Sequence, residues 1–427
     1  MGKVFTRRNV MVGGAAAAAG AVLLSRESDQ SGPRDPYFEQ LQAALVAAGA
    51  AGPTLVVDRN RLNRNVDTLK ATLPADISHR VPSKSLPSHP LLNHVMDRAG
   101  TRGMMTFNWQ MLLELSKTQP TFDQLIGKPL PVAAMRKYFE LLPAQSRDAA
   151  RQVQWLVDTP ERLAQYAAVA QGLDTQLRIN LEIDVGLHRG GFAVDETLRD
   201  VIASIHGNER LTFAGFMGYE AHVPSMPDAL GMRERAESYA FDTYRAALAM
   251  AESVTGGAGR EQWTRNAAGS PTFRLYQDTS IANDLTVGSA LVKPTGFDTE
   301  LLSIFEPACF IATPVLKTYP HTTVPGLEFA SGVQTFMDPN LDNSVYIYGG
   351  NWYAQPVDPP GLRVHPLMGQ SSNQAMLTAG SQLNLKPDDF VFLRPKASEA
   401  VFLQFGDIAV YEDGAIVDEW PVFAASA

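Results

Sequence analysis

Four short stretches combine residue types that can do chemistry. In "HRVPSKSLPSHP", Lys84 sits between Pro82 and Pro87, a segment too stiff for a generic surface loop. A lysine fixed in this way can lose its proton through burial or neighbouring charge, and its amine can then attack an aldehyde. In "EIDVGLHRGGF", Arg189 offers a two-pronged donor to a carboxylate or phenolate oxygen, and Gly186, Gly190 and Gly191 let backbone approach a ligand. In "GFMGYEAHV", Tyr219 and His222 flank Glu220, and either can stack on an aromatic ring or act as acid or base. "NAAGSPTF" brings Gly269, Ser270 and Thr272, whose amides and hydroxyls can cradle a phosphate. Taken singly, each has a plainer reading as a solvated lysine, a structural histidine or an ordinary turn.

The elements around these stretches decide whether they meet. Strand patterns at 54–58, 77–83, 103–107, 153–159, 177–183 and 212–220 take turns with helical patterns at 59–73, 89–99, 108–117, 160–172, 195–206 and 229–254. Pro160 stands at a first helical position. "WTRNAAGS" and "NDLTVGSALV" close the series. Repetition of this kind over about 240 residues predicts an α/β fold, a (β/α)8 TIM barrel, with an open doubly wound sheet as the alternative. No GxGxxG follows an early strand. In a barrel, all four stretches fall at C-terminal strand ends, where barrel active sites lie. The strand "LRINLEID" alternates strictly, so Leu177, Ile179, Leu181 and Ile183 are expected to pack outward on helices. Arg178, Asn180, Glu182 and Asp184 would then point inward and need polar partners.

Beyond about residue 300 the pattern is strand-rich, with "CFIATPVLKTYP", "SVYIYGGNWYA", "DDFVFLRP" and "AVFLQFGDIAVYEDGAIVDEWPVF", where Glu412-Asp413-Gly414 reads as a hairpin turn. The expected organisation is a leader over 1–30, a linker and the start of the β domain over 31–50, the barrel over 51–300 and a mostly β C-terminal domain over 301–427. The leader has a basic start with Arg7-Arg8 and an uncharged run from Val10 to Leu24. That run reaches about 22 Å as a helix, short of the ~30 Å hydrocarbon core, and fits a twin-arginine-like signal for export to the periplasm better than a membrane span. The 427 residues carry a net charge of −9 and a pI near 5.4, which argues against nucleic acid or an anionic membrane as partner. Cys309 is the single cysteine, so no internal disulfide can form, and no Cys/His cluster has zinc spacing.

In this order and spacing, the motifs resemble the pyridoxal-phosphate enzymes that share the alanine racemase barrel, specifically the D-threonine aldolase and D-serine dehydratase-like branch. The resemblance spans roughly residues 50–427 and also uses "TLVVDRNRLNRNV" and the tail "FGDIAVYEDGAIVDEWPVF". It implies pyridoxal 5'-phosphate as cofactor, with Lys84 forming the internal aldimine and Arg189 and Tyr219 beside the coenzyme. It places Gly269, Ser270 and Thr272 on the phosphate, and Lys84, Tyr219 and His222 in catalysis. It also implies an amino-acid substrate and a homodimer. The metal-dependent branch carries a His-x-Cys pair after a proline. Here that window reads "RPKASEAVFLQFGD", with neither His nor Cys, so no metal is expected there. Lys396, Glu399 or His222 could handle a substrate hydroxyl instead. The expected activity is a lyase acting on D-β-hydroxy amino acids, by retro-aldol cleavage or β-elimination. The alternatives are a racemase or epimerase, a coenzyme-binding protein with little catalysis, or an unrelated barrel hydrolase using Glu182 and Asp184.

Overall fold

The structure, a computed structural model, describes residues 27–326, 328–365 and 368–424. The leader lies, up to Arg26, outside the described residues. The chain divides into two compact units. Of the described residues, one holds Val57–Cys309, Ala397–Val410 and 418–424; the other holds 27–56, Phe310–Lys396 and Tyr411–Val417.

Strand β1 (Thr54–Asp58) lies in the large sheet rather than in the barrel. Eight parallel strands close the barrel in chain order: β2 (Ser78–Pro82), β3 (Gly103–Thr106), β4 (Asp123–Ile126), β5 (Val153–Val157), β6 (Leu177–Glu182), β7 (Leu211–Met217), β8 (Thr264–Ala267) and β9 (Asp284–Thr286). Pairing of β2 with β9, Ser78 opposite Asp284, completes the ring. The (β/α)8 expectation holds. Strand β4 and the helix Val132–Leu141 fall in a stretch to which the sequence reading assigned no element.

Local signals start the helices where the sequence places them. Thr159 accepts a hydrogen bond from the Arg162 amide and Pro160 opens the helix Pro160–Gly172. Asp195 accepts from the amides of Thr197 and Leu198 and starts Glu196–His206, whose Leu198, Val201, Ile202 and Ile205 are buried.

The apolar residues of β6, Leu177, Ile179 and Leu181, are buried. Its polar face enters a network across the barrel interior. Arg178 donates to Asp123 at 2.7 Å, and Asn180 to the side-chain oxygen of Gln154 at 3.1 Å. Gln154 in turn donates to Asp123 and Thr264, each at 2.8 Å. Arg80 bridges Asp284 and Asp123, both at 2.8 Å. Barrel interiors are usually filled by branched aliphatics; here ion pairs and amides fill part of the space, and their mutual hydrogen bonds offset the cost of burying them. Burial raises the Asp123 carboxyl, but the Arg80 and Arg178 guanidinium groups outweigh it and hold that carboxyl below its usual range.

In the other unit, Cys309–Pro320 pairs antiparallel with Asn343–Tyr348 and with Phe390–Pro395, and Asn343–Tyr348 pairs with Gln374–Ala379. The strands Ile408–Glu412 and Ala415–Trp420 are neighbours in the sheet and turn at Asp413 and Gly414, both at positive φ, as a two-residue hairpin requires. The expected mostly β region after the barrel is present. Residues 402–404 form a short 3-10 turn instead of continuing a strand.

Candidate functional site

A cavity of about 500 Å³ opens among the C-terminal strand ends of the barrel. It is lined by Lys84, Arg189, Tyr219, Gly269 and Ser270, five of the seven residues singled out in the sequence. Lys84 follows β2 directly, in a turn where the Ser83 amide donates to the Met105 carbonyl. Its ammonium lies 4.5 Å from the centre of the Phe107 ring and makes no hydrogen bond or ion pair among the described residues. Burial lowers the lysine pKa; Arg189 and Lys128 push the same way and the Glu399 carboxylate opposes them. A lysine in this state exposes a neutral amine to an aldehyde more readily than a solvated one.

Arg189 stands exposed at the cavity rim, its guanidinium carbon 5.3 Å from the Tyr219 ring centre and one nitrogen 3.8 Å from a Glu182 oxygen. Burial and the neighbouring Glu220 push the Tyr219 phenol up to about 12, so the group is neutral at physiological pH. Burial also raises the Glu182 carboxyl, with Arg189 pulling the other way. Of the polar residues in "RINLEID", only Glu182 reaches the cavity. Asp184 turns back on its own loop and accepts from the amides of Gly186 and His188, both at 3.0 Å. The loop glycines serve the loop itself. Gly191, at φ +99°, runs so close to β6 that an added Cβ would lie 2.7 Å from the Ile183 carbonyl carbon; only Gly190 lines the cavity.

Two expected site residues do not line this cavity. His222 sits beside Gly186 and His188, and burial lowers its pKa. Thr272 is fully buried within its own loop, where its hydroxyl accepts from the Gly269 amide at 3.1 Å.

The loops after β8 and β9 meet at one side of the cavity. Ser270 Oγ accepts from the amides of Gly288 at 3.2 Å and Ala290 at 3.0 Å, and donates its own proton to no described residue. Gly269 packs so closely on Tyr219 that a Cβ there would lie 2.6 Å from the ring, and one on Gly288 would lie 2.4 Å from Pro82. Backbone and a free hydroxyl are thus held where side chains have no room, which suits an anionic group.

Gly288 and Ser289 are not among the residues that the sequence motifs single out, although "TVGSA" after β9 repeats the strand-Gly-Ser pattern of "NAAGS" after β8. Glu399 also lines the cavity, brought there by the segment Ala397–Val410, which belongs to the barrel unit although it follows the β-rich stretch. Among the described residues, no three His, Cys, Asp or Glu side chains are grouped so as to hold a metal ion.

The structure is a closed parallel barrel with the Lys84 amine and the close-packed backbone at Ser270 and Gly288 at its mouth. The alanine racemase N-terminal domain model matches residues 57–295, more than half of the chain, and the chain belongs to that family. Members of this family typically use pyridoxal phosphate. No curated protein matches the sequence. In structure, the chain is similar to D-threonine aldolase from Filomicrobium marinum, with a TM-score of 0.69 and 18% identity over 88% of this chain and 95% of that one. It is also similar to D-threo-3-hydroxyaspartate dehydratase from Delftia sp. HT23, with a TM-score of 0.67 and 15% identity over 87% and 97%. Alanine racemase of Clostridium difficile 630 gives a TM-score of 0.65 and 12% identity over 87% and 98%. At these identities the likeness establishes the fold.

Proposed function

We propose that this chain is a pyridoxal-phosphate-dependent enzyme acting on amino acids, with Lys84 as the residue that holds the coenzyme covalently and cleavage of D-β-hydroxy amino acids as the reaction. The observation that carries the reading is Lys84 itself, an unpaired amine of lowered pKa in the cavity that Ser270 and Gly288 also line. The residues present fit the coenzyme: an amine for its aldehyde, a free Ser270 hydroxyl and close backbone for its phosphate, and Arg189 and Tyr219 on one flank. When bound, the coenzyme supplies an electron sink for the pair left on a substrate's α-carbon. With the coenzyme bound, the Lys84 amine would be placed to carry a proton to or from the substrate's α-carbon. The Tyr219 phenol, neutral at physiological pH, donates a hydrogen bond and can give a proton. His222 lies outside the cavity, beside Gly186 of the loop that carries Arg189. The family resemblance supports a homodimer, and the twin-arginine-like leader supports export to the periplasm.

Incubation of the coenzyme-loaded protein with D- and L-threonine, serine and alanine tests the reading. Release of aldehyde or keto acid from the D-β-hydroxy substrates is the expected result. Chiral inversion without cleavage would assign a racemase instead, and neither outcome would leave only coenzyme binding.

A further inference from the structure

Three side chains could handle a substrate hydroxyl on sequence grounds: Lys396, Glu399 and His222. The structure separates them. Lys396 is exposed, its ammonium 5.5 Å above the Tyr353 ring, and neither it nor His222 lines the cavity that holds Lys84; Glu399 does.

Glu399 is held by three serine hydroxyls. Ser85 and Ser289 donate to Oε1 at 2.8 and 3.1 Å, and Ser398 reaches Oε2 at 3.3 Å. Ser85 adjoins Lys84, and Ser289 adjoins Gly288 on the cradle loop. The carboxylate is therefore fixed to the two elements that place the amine and the anion cradle. An ionised carboxylate only accepts hydrogen bonds. Oε1 already takes two donors, whereas Oε2 has one long bond and lone pairs to spare for a donor in the cavity.

Resting on the function proposed above, we infer that Glu399 is the general base that removes the proton from the substrate's β-hydroxyl. The β-O–H bond breaks and its proton passes to Oε2. The Cα–Cβ bond breaks, and the aldehyde leaves with a new C=O double bond. The electron pair left on the α-carbon takes a proton from the Lys84 ammonium, and the proton held by Glu399 returns through solvent to the Lys84 amine. Cleavage of this kind needs no divalent ion on the hydroxyl.

The test compares wild type, Glu399→Gln and Lys396→Ala, each loaded with coenzyme and kept in EDTA. The first readout is aldehyde release from D-threonine. The second is exchange of the α-proton of D-2-aminobutyrate, which has no hydroxyl. The third is the pH dependence of Lys84 labelling in the coenzyme-free protein. Glu399→Gln is expected to slow aldehyde release by roughly 10²-fold or more, the usual worth of a general base. It should leave α-proton exchange within a few-fold of wild type and move the Lys84 labelling midpoint to lower pH, because a charge that favours the ammonium is gone. Lys396→Ala should match wild type. Unchanged aldehyde release in Glu399→Gln would overturn the inference. So would an equal loss of release and exchange, or wild-type cleavage that EDTA abolishes and a divalent ion restores. Should wild type bind no coenzyme or release no aldehyde, the proposed function fails first and the inference falls with it; wild-type cleavage beside an unaffected variant sinks the inference alone.

Discussion

The Lys84 ammonium stands 4.5 Å from the centre of the Phe107 ring, with no hydrogen-bond or ion-pair partner among the described residues. The electron-rich ring face attracts the cation, whereas burial strips part of its water and favours release of the proton. The lysine pKa is lowered, with burial as the largest cause.

This relationship gives the first prediction. In the coenzyme-free protein, Lys84 should react with an amine-directed reagent ahead of the exposed lysines at mildly alkaline pH. Its rate should level off below the ordinary lysine value of 10.5. The stability consequence has a definite sign. Between the lowered folded pKa and the ordinary one, the unfolded chain binds more protons, so stability rises with pH across that window and the folded state is penalised below it. Lys84→Met should therefore raise the unfolding temperature of the coenzyme-free protein at neutral pH. Labelling in step with the exposed lysines would contradict the burial argument.

Ser270→Ala removes the oxygen that gathers the Gly288 and Ala290 amides and the hydroxyl left free to face an anion. Hydrogen bonds to charged groups are worth about 1.5–3 kcal/mol, so coenzyme affinity should fall at least roughly tenfold by equilibrium titration. Unaltered affinity would mean that the phosphate lies elsewhere.

How far the site could be read from the sequence depended on how local each signal was. Lys84, Arg189, Tyr219, Gly269 and Ser270 stand next to strand ends, and closing the barrel brings strand ends together, so local pattern sufficed. Strand β4 shows no alternation of its own, because Gln124 is buried along with Leu125 and Ile126. Thr272 carries the right hydroxyl, but its direction is set by the turn it closes, and that turn consumes it. The inward face of β6 was legible as polar, whereas its partners, Asp123 and Gln154, come from other strands and are known only once the register is fixed. Glu399 was legible as one of three candidates for a substrate hydroxyl, but nothing local selected it over Lys396 and His222, since it reaches the barrel cavity from about 315 residues beyond Lys84 in the chain.

The barrel network yields a stability prediction. Asp284→Ala would leave the buried Arg80 guanidinium with Asp123 as its remaining carboxylate partner, and losing a hydrogen bond to a charged group typically costs about 1.5–3 kcal/mol. Denaturant unfolding should show a loss of that order, and a loss under about 1 kcal/mol would mean that Asp123 alone satisfies the Arg80 charge.

Asp123 sets the acid limb. Its folded pKa lies below the ordinary 3.8, so it contributes stability that is full above that value and is lost as pH falls through the folded pKa. Asp123→Asn, lacking this term, should be less stable than wild type at neutral pH and show a flatter decline in acid. Parallel pH profiles for the two proteins would remove the electrostatic role given to Arg80 and Arg178.

Tyr219→Phe separates donor from ring. The ring that packs on Gly269 is kept, so coenzyme stoichiometry should hold, while loss of the phenol slows turnover by about 10²-fold. In wild type, phenolate absorbance from this residue should be absent until pH approaches about 12. Full turnover in the variant would exclude the phenol from proton transfer.

The central claim is the covalent attachment of the coenzyme, and hydride trapping followed by proteolytic mass mapping tests it most directly. Borohydride treatment of the pyridoxal-phosphate-loaded protein should leave the phosphopyridoxyl mass on the peptide that contains Lys84, with the adduct and the visible colour both absent from Lys84→Ala. An unmodified Lys84 peptide, or the adduct on another lysine in the wild-type protein, would contradict the account.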